Sequence, residues 1–144
     1  MAIARPVDRR LFFLFDRAHT QLLKAADDHL SRTSQTSAAQ AAVMIYLGYH
    51  DNCSLGDLAA GIGRQSPAVS GLVSRMERAG LIARKNNLHD RRSKNVQLTP
   101  AGWTERENIM NNFRDFNDKL VKNMNQSEIE AVIKFLELSV KNVT

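Results

Sequence analysis

Between residues 54 and 99 the chain sets its helix caps, glycines and prolines in an order that very few folds can use. Ser54-Leu55-Gly56-Asp57 has a capping-box pattern, with Asp in place of the usual Glu, and predicts a short helix bearing Leu58, Ala59 and Ile62. Gly61 and Gly63 stop that helix and permit positive φ in a tight turn. Ser66-Pro67 opens the next helix, with serine suited to the N-cap and proline to the first helical position. Val69, Leu72, Val73 and Met76 follow at i, i+3, i+4 and i+7 as one core-facing stripe, and Gly80 is the natural residue just past the end. Residues 81–85 and 95–99 then read as two strands around a polar basic loop, 86–94, which makes a long-tipped β-hairpin. Short helix, glycine turn, helix and hairpin together form a winged helix-turn-helix. The fold class expected is mainly α with a small β-hairpin (α+β).

The flanks are helical. A first helix is expected from Asp8, its cap, to about Leu30, with Leu11, Leu14, Phe15, Ala18, Leu22 and Ala25 at helical spacing and Phe12 and Phe13 widening the stripe. Ser37 can cap a second helix whose inner face holds Val43, Met44 and Leu47, and which Asp51-Asn52 breaks near His50. Thr99-Pro100 repeats the cap-plus-proline start. It opens a long helix to about Met124, with Phe113, Phe116 and Leu120 inward. Ser127 with Glu130 reads as a capping box for a last helix carrying Ile129, Val132, Ile133, Leu136 and Val140 on one stripe, with Phe135 and Leu138 on another. Apolar surface on the first and last helices exceeds what one neighbour covers and asks for a partner. The organisation expected is an N-terminal dimerisation helix (1–36), a winged helix-turn-helix (37–102, recognition helix 66–79, wing 81–99) and C-terminal dimerisation helices (103–144), in one compact domain of 144 residues.

Charge locates the functional face. From Arg64 to Lys94 there are eight basic residues against Glu77 and Asp90, a net +6, whereas the rest of the chain is close to neutral within an overall +5. One segment therefore carries the excess positive charge, as a footprint on phosphates does. On the second helix of the pair the face away from the core holds small and basic residues: Ala68, Ser70, Gly71, Ser74, Arg75 and Arg78. Small side chains admit a helix to a major groove about 12 Å wide. Gln65, Ser66 and Ser70 can reach base edges, and Arg75 can reach a base or a phosphate. Arg91, Arg92 and Lys94 crowd the hairpin tip, where arginine suits a narrow, electronegative minor groove.

These pieces resemble the MarR (multiple-antibiotic-resistance) family of regulators. The likeness rests on Ser54-Leu55-Gly56-Asp57-Leu58-Ala59, on Ser66-Pro67-Ala68-Val69-Ser70-Gly71-Leu72-Val73-Ser74-Arg75-Met76-Glu77, and on Ala79-Gly80-Leu81-Ile82-Ala83-Arg84. It ends with Asp90-Arg91-Arg92-Ser93-Lys94-Asn95-Val96-Gln97-Leu98-Thr99-Pro100-Ala101-Gly102. The resemblance implies a homodimer with intertwined first and last helices, usually a repressor, on a pseudo-palindromic double-stranded DNA operator. It implies a wing in which Arg92 enters the minor groove and Asp90 holds the loop. It also implies release by a small-molecule or stress signal, bound between the dimer helices and the reading head. Two departures stand out. Asn86-Asn87-Leu88-His89 is a less charged approach to the wing than in many relatives. Gly71 costs about 1 kcal/mol against alanine inside a helix and leaves room either for DNA or for a neighbour.

Other chemistries find little. No nucleophile–base arrangement appears, and Gly61-Ile62-Gly63 lacks the strand and later glycine of a phosphate loop, so an enzyme is not expected. No cofactor is expected beyond a small-molecule effector, for which Trp103, Phe113 and Phe116 are candidate lining residues and also ordinary core residues. His50-x-x-Cys53 has no second ligand pair at zinc-finger spacing. Cys53, the single cysteine, fits a reducing cytoplasm and precedes the capping serine, where a half-buried thiol is expected. The residues after Met1 have no apolar stretch of a signal peptide, and no run approaches the ~20 apolar residues of a membrane span. Two alternatives stay open: a protein- or RNA-binding winged helix, and a thiol or metal sensor on the same fold.

Overall fold

The computed structural model describes residues 10–144. Six helices and three strands follow in the order α1 (Leu11–Thr33), α2 (Ala38–Tyr49), β1 (Cys53–Ser54), α3 (Leu55–Gly61), α4 (Ser66–Arg78), β2 (Ile82–Asn86), β3 (Lys94–Leu98), α5 (Pro100–Leu120) and α6 (Gln126–Val143). They fall into two compact units, one up to Met110 and one from Asn111 to Thr144, with the boundary inside α5.

The first unit is a winged helix. Its core is drawn from five helices and the hairpin: Leu30 from α1, Val43, Met44 and Leu47 from α2, Leu58 from α3, Val69, Val73 and Met76 from α4, Ile82 and Val96 from the hairpin, and Ile109 from α5, all buried. Ser37 caps α2 with the reciprocal box through Gln40. Asp27 Oδ1 accepts the Ala38 N–H at 2.6 Å, which ties α1 to the start of α2, and Thr36 Oγ1 donates to Glu105 Oε1 at 3.0 Å, which ties their link to α5. The sheet order is β1-β3-β2, all antiparallel, with Ile82 opposite Leu98 and Arg84 opposite Val96.

Several expected boundaries move. The Asp8 cap lies outside the described residues. The first helix runs on to Thr33, where the Thr33 and Ser34 hydroxyls return to the last-turn carbonyls. Ser66 is not the cap of α4 but its first helical residue; Gln65 holds the extended N-cap conformation, without a side-chain capping bond. Gly63 takes positive φ (65°), whereas Gly61 closes α3 in helical form, and a Cβ there would run into the Tyr46 ring. The hairpin strands are 82–86 and 94–98, each displaced by one residue from expectation, and the two-residue β1 was not anticipated. The long helix stops at Leu120, and Asn123 turns the chain at φ 68°. The capping box of α6 is Asn125 with Glu128, two residues before the expected Ser127 and Glu130; Asn125 Oδ1 accepts the Glu128 N–H and Glu128 Oε2 accepts the Asn125 N–H, both at 2.9 Å.

Stripes of large apolar side chains are left uncovered on α1 and α6. On α1, Leu11, Phe12, Phe13, Leu14, Phe15 and Leu22 are exposed, Phe12 by 76%. In the second unit α6 buries no residue, and Val132, Ile133, Phe135, Leu136 and Leu138 are exposed, as is the expected inward residue Leu120 of α5; Phe113 and Phe116 are half-buried and meet edge to face. No helix among the described residues is long and apolar enough to cross a membrane.

Candidate nucleic-acid interface

Helix α4 divides cleanly. Val69, Leu72, Val73 and Met76 are buried, and the opposite face presents Ala68, Gly71, Arg75 and Arg78 to solvent. Ser70 and Ser74 are half-buried on its flank. Gln65 and Ser66 stand exposed at the start. A Cβ built on Gly71 would meet only the Arg75 guanidinium, at 3.7 Å, so no protein neighbour requires glycine here. Because Gln65 makes no capping bond and Pro67 has no N–H, the first turn offers its free amides outward. Beside it lies an open depression of about 440 Å³, lined by Gly56, Ala59 and Ala60 of α3 and by Arg64, Gln65 and Ser66.

The wing is built from its own side chains. Asn87 N–H donates to the Ser93 carbonyl at 3.2 Å and closes the loop at its base. Asp90 organises the tip: its Oδ1 accepts the Arg92 N–H at 2.9 Å, and its carbonyl accepts from Ser93 N–H at 3.2 Å and from the Ser93 hydroxyl. Asp90, Arg91, Arg92 and Lys94 are all exposed, and Leu88 is 96% exposed. At its base the hairpin is tied in by Asp51 Oδ1, which accepts the Leu98 N–H at 3.2 Å, and by Asn95 Nδ2, which donates to the Asn52 carbonyl at 3.2 Å. Thr99 Oγ1 donates to the Gly80 carbonyl at 2.6 Å and accepts the Gly102 N–H at 3.0 Å, joining the end of the hairpin to the end of α4 and to α5.

The charged pair Arg84 and Glu77 was not among the expected site residues. Arg84 Nη2 donates to Ser74 Oγ at 2.8 Å, and its Nε lies 3.2 Å from Glu77 Oε2. The Nε–H is not aligned on that carboxylate, so the contact is an ion pair and the serine bond is the directional one. Ser74, expected to face DNA, is thus bonded within the chain. Period-2 alternation carried the signal, since Arg84 follows Ile82 on the inward row of β2.

Of the rival sites, Cys53 is half-buried in β1. Burial pushes its thiol up, and the nearby charge of Asp57, then that of Asp51, adds to this; a backbone hydrogen bond opposes it. Among the described residues no three His, Cys, Asp or Glu side chains gather as a metal site. His50 stacks on Tyr46 with centroids 4.6 Å apart. Trp103 lies by Arg106, whose guanidinium sits 5.7 Å from the Trp103 ring centroid and 5.1 Å from that of Tyr49.

Comparison with known proteins agrees with this architecture. Residues 36–94 match the sequence model of the MarR family. The chain is 26% identical over 95 residues to the HTH-type transcriptional regulator BilQ of Clostridioides difficile (strain CD3), a match that covers 66% of this chain and 64% of BilQ, so under two thirds of that relative is spanned. The solved structure of the S. aureus MepR–DNA complex is 26% identical and superposes with a TM-score of 0.78 over 92% of this chain and 95% of MepR. A mutant of E. coli MarR complexed with operator DNA, at 22% identity, shares the fold with a TM-score of 0.81 over 92% of this chain and 94% of that one. The helix-turn-helix and the D-x-R wing, Asp90 to Arg92, both lie within the stretch that matches the MarR family model.

Proposed function

We propose that this protein is a homodimeric, sequence-specific regulator of transcription that binds double-stranded DNA at a pseudo-palindromic operator, most simply as a repressor, and performs no catalysis. One observation carries the reading: the strand leading into an arginine-tipped wing is bonded directly to the flank of a helix whose free face is small and basic. A groove-width helix with Gln65, Ser66, Ala68, Ser70 and Gly71 near its start can read base edges, while Arg75, Arg78, Arg91, Arg92 and Lys94 meet phosphates or the minor groove. The MepR structure, solved with DNA, supports the same use of this fold. The bare apolar faces of α1 and α6 support pairing with a second copy, which would set two recognition helices on successive major grooves.

Selection of bound duplexes from a random pool tests this directly. Two inverted half-sites about 10 base pairs apart are expected, with affinity falling steeply as salt rises. Absence of enrichment, or affinity indifferent to salt, would favour a protein- or RNA-binding winged helix instead.

Release by a small molecule belongs to the same proposal. An open groove of about 440 Å³ is lined by Ala42, Ile45, Tyr46, Tyr49, His50 and Ile62, and among the described residues no carboxylate pairs with Arg106 beside Tyr49. Trp103 is the single tryptophan, so its fluorescence reports on ligands near Arg106. A screen in which no compound shifts both that emission and operator affinity would remove this seat.

A further inference from the structure

We infer that Arg84 is a positioning residue that sets the wing against the recognition helix, so that wing and helix engage one duplex as a unit; this rests on the DNA-binding reading above. The inward row of β2 begins with Ile82, buried opposite Leu98, and its next member is Arg84, opposite buried Val96. Beyond that pair only Lys85, Asn86, Lys94, Asn95 and the 87–93 loop remain, none of them buried. The apolar core therefore runs out at Arg84, and everything that carries Arg91 and Arg92 extends past it as a lever. The β3 edge is held by its pairing with β1 up to Asn95 and by the Asn95 amide on the Asn52 carbonyl; on the β2 edge dispersion contacts alone have no direction, and a short ribbon held along one edge can rock. Arg84 supplies direction at that point: its Nη2 bonds Ser74 Oγ at 2.8 Å while its Nε pairs with Glu77 Oε2 at 3.2 Å, two groups one helical turn apart on α4. A planar guanidinium aims its donors at two such partners in a fixed fork, whereas an ammonium is a compact charge on a flexible stem with no such fixed geometry. The same contact accounts for an acid on a helix meant for phosphates, because Arg84 offsets the charge of Glu77.

The test uses the full chain in two arms. Without DNA, Arg84→Met keeps the aliphatic stem and removes the clamp; amide exchange in 83–86 and 94–97 is expected to quicken about tenfold while the α4 amides hold, with Ser74→Ala giving a smaller change and Arg84→Lys an incomplete rescue. With an operator duplex, Arg92→Ala is expected to cost about tenfold in the wild-type background and under about threefold in the Arg84→Met background, since a wing no longer held loses the contact in either case. Unchanged wing exchange in Arg84→Met, or costs of the two substitutions that simply multiply, would overturn the proposal. If the wild-type protein binds no duplex, the functional reading fails, and the exchange arm alone still decides whether Arg84 holds the wing.

Discussion

Asp90 Oδ1 accepts the backbone N–H of Arg92 at 2.9 Å, so the acid two residues earlier fixes the backbone from which the arginine projects. Such a side-chain turn replaces a backbone bond and orders a loop that has no core of its own. Both residues are exposed and lie outside the buried core. Arg92→Ala is expected to weaken operator binding by about tenfold at fixed salt with little change in Tm. Asp90→Ala and Asp90→Asn remove the same charge, but only asparagine keeps the acceptor; tighter binding by Asp90→Asn than by Asp90→Ala measures the ordering of the wing. Equal affinities would show that the turn does not matter to binding.

Two glycines should respond oppositely to alanine. At Gly102 an added Cβ would strike the Leu81 carbonyl, a backbone group that cannot swing aside. Gly102→Ala should lower stability by about 1–3 kcal/mol, as overpacking does. At Gly71 the space is open, and Gly71→Ala should stabilise the helix by about 1 kcal/mol. Its methyl would nonetheless stand on the face offered to the groove, so affinity should fall while Tm rises. Thermal melts and a binding titration on the same two proteins decide both points; a Gly71→Ala protein with unchanged affinity would take Gly71 off the interface.

Cys53 should behave as a sheltered thiol. Burial, with the negative charges of Asp57 and Asp51, disfavours its thiolate, so its folded value lies above its unfolded one. The stability that follows is fully present below the unfolded thiol's range and is lost as pH rises through the folded value, well above neutrality. Alkylation at mildly alkaline pH should be slower in the native protein than in urea. A native rate above that of the unfolded chain would revive the thiol-sensor reading.

The helix-turn-helix was legible because its signals are local: Ser54 caps α3 through the Asp57 N–H, Pro67 sits in the first turn of α4, and Gly80 takes φ 78° after it. The stripe of Val69, Leu72, Val73 and Met76 is buried as its spacing required. Strand β1 was not legible, since two residues carry no period and pair with Asn95 and Val96 some forty positions away. Asn125 outcompeted Ser127 as a cap because Asn123 had already turned the chain with positive φ, leaving Asn125 extended. The Arg84 contacts needed the tertiary approach of β2 to α4, which propensity does not encode. The exposed stripes on α1 and α6, by contrast, were plain in the sequence as more apolar surface than one neighbour covers.

Four residues of the interface should separate into two kinds when each is replaced by alanine. Gln65 carries an amide of the type that pairs with adenine N6 and N7, a contact worth about 1–3 kcal/mol of discrimination, and Ser70 offers a hydroxyl to either kind of base. Arg91 and Lys94 flank the wing tip, where a positive charge can displace counterions without reading sequence. Gln65→Ala and Ser70→Ala should change the preferred base at one position of each half-site and leave the salt dependence intact. Arg91→Ala and Lys94→Ala should weaken all duplexes alike and lower the slope of log K against log salt by about 1 per residue. Titrations of four variants against the selected operator and a scrambled duplex, each at three salt concentrations, separate the two behaviours. A Gln65→Ala protein with unaltered preference and a reduced salt slope would move that residue from base recognition to the phosphate backbone, and would leave the groove-facing start of α4 without a reader.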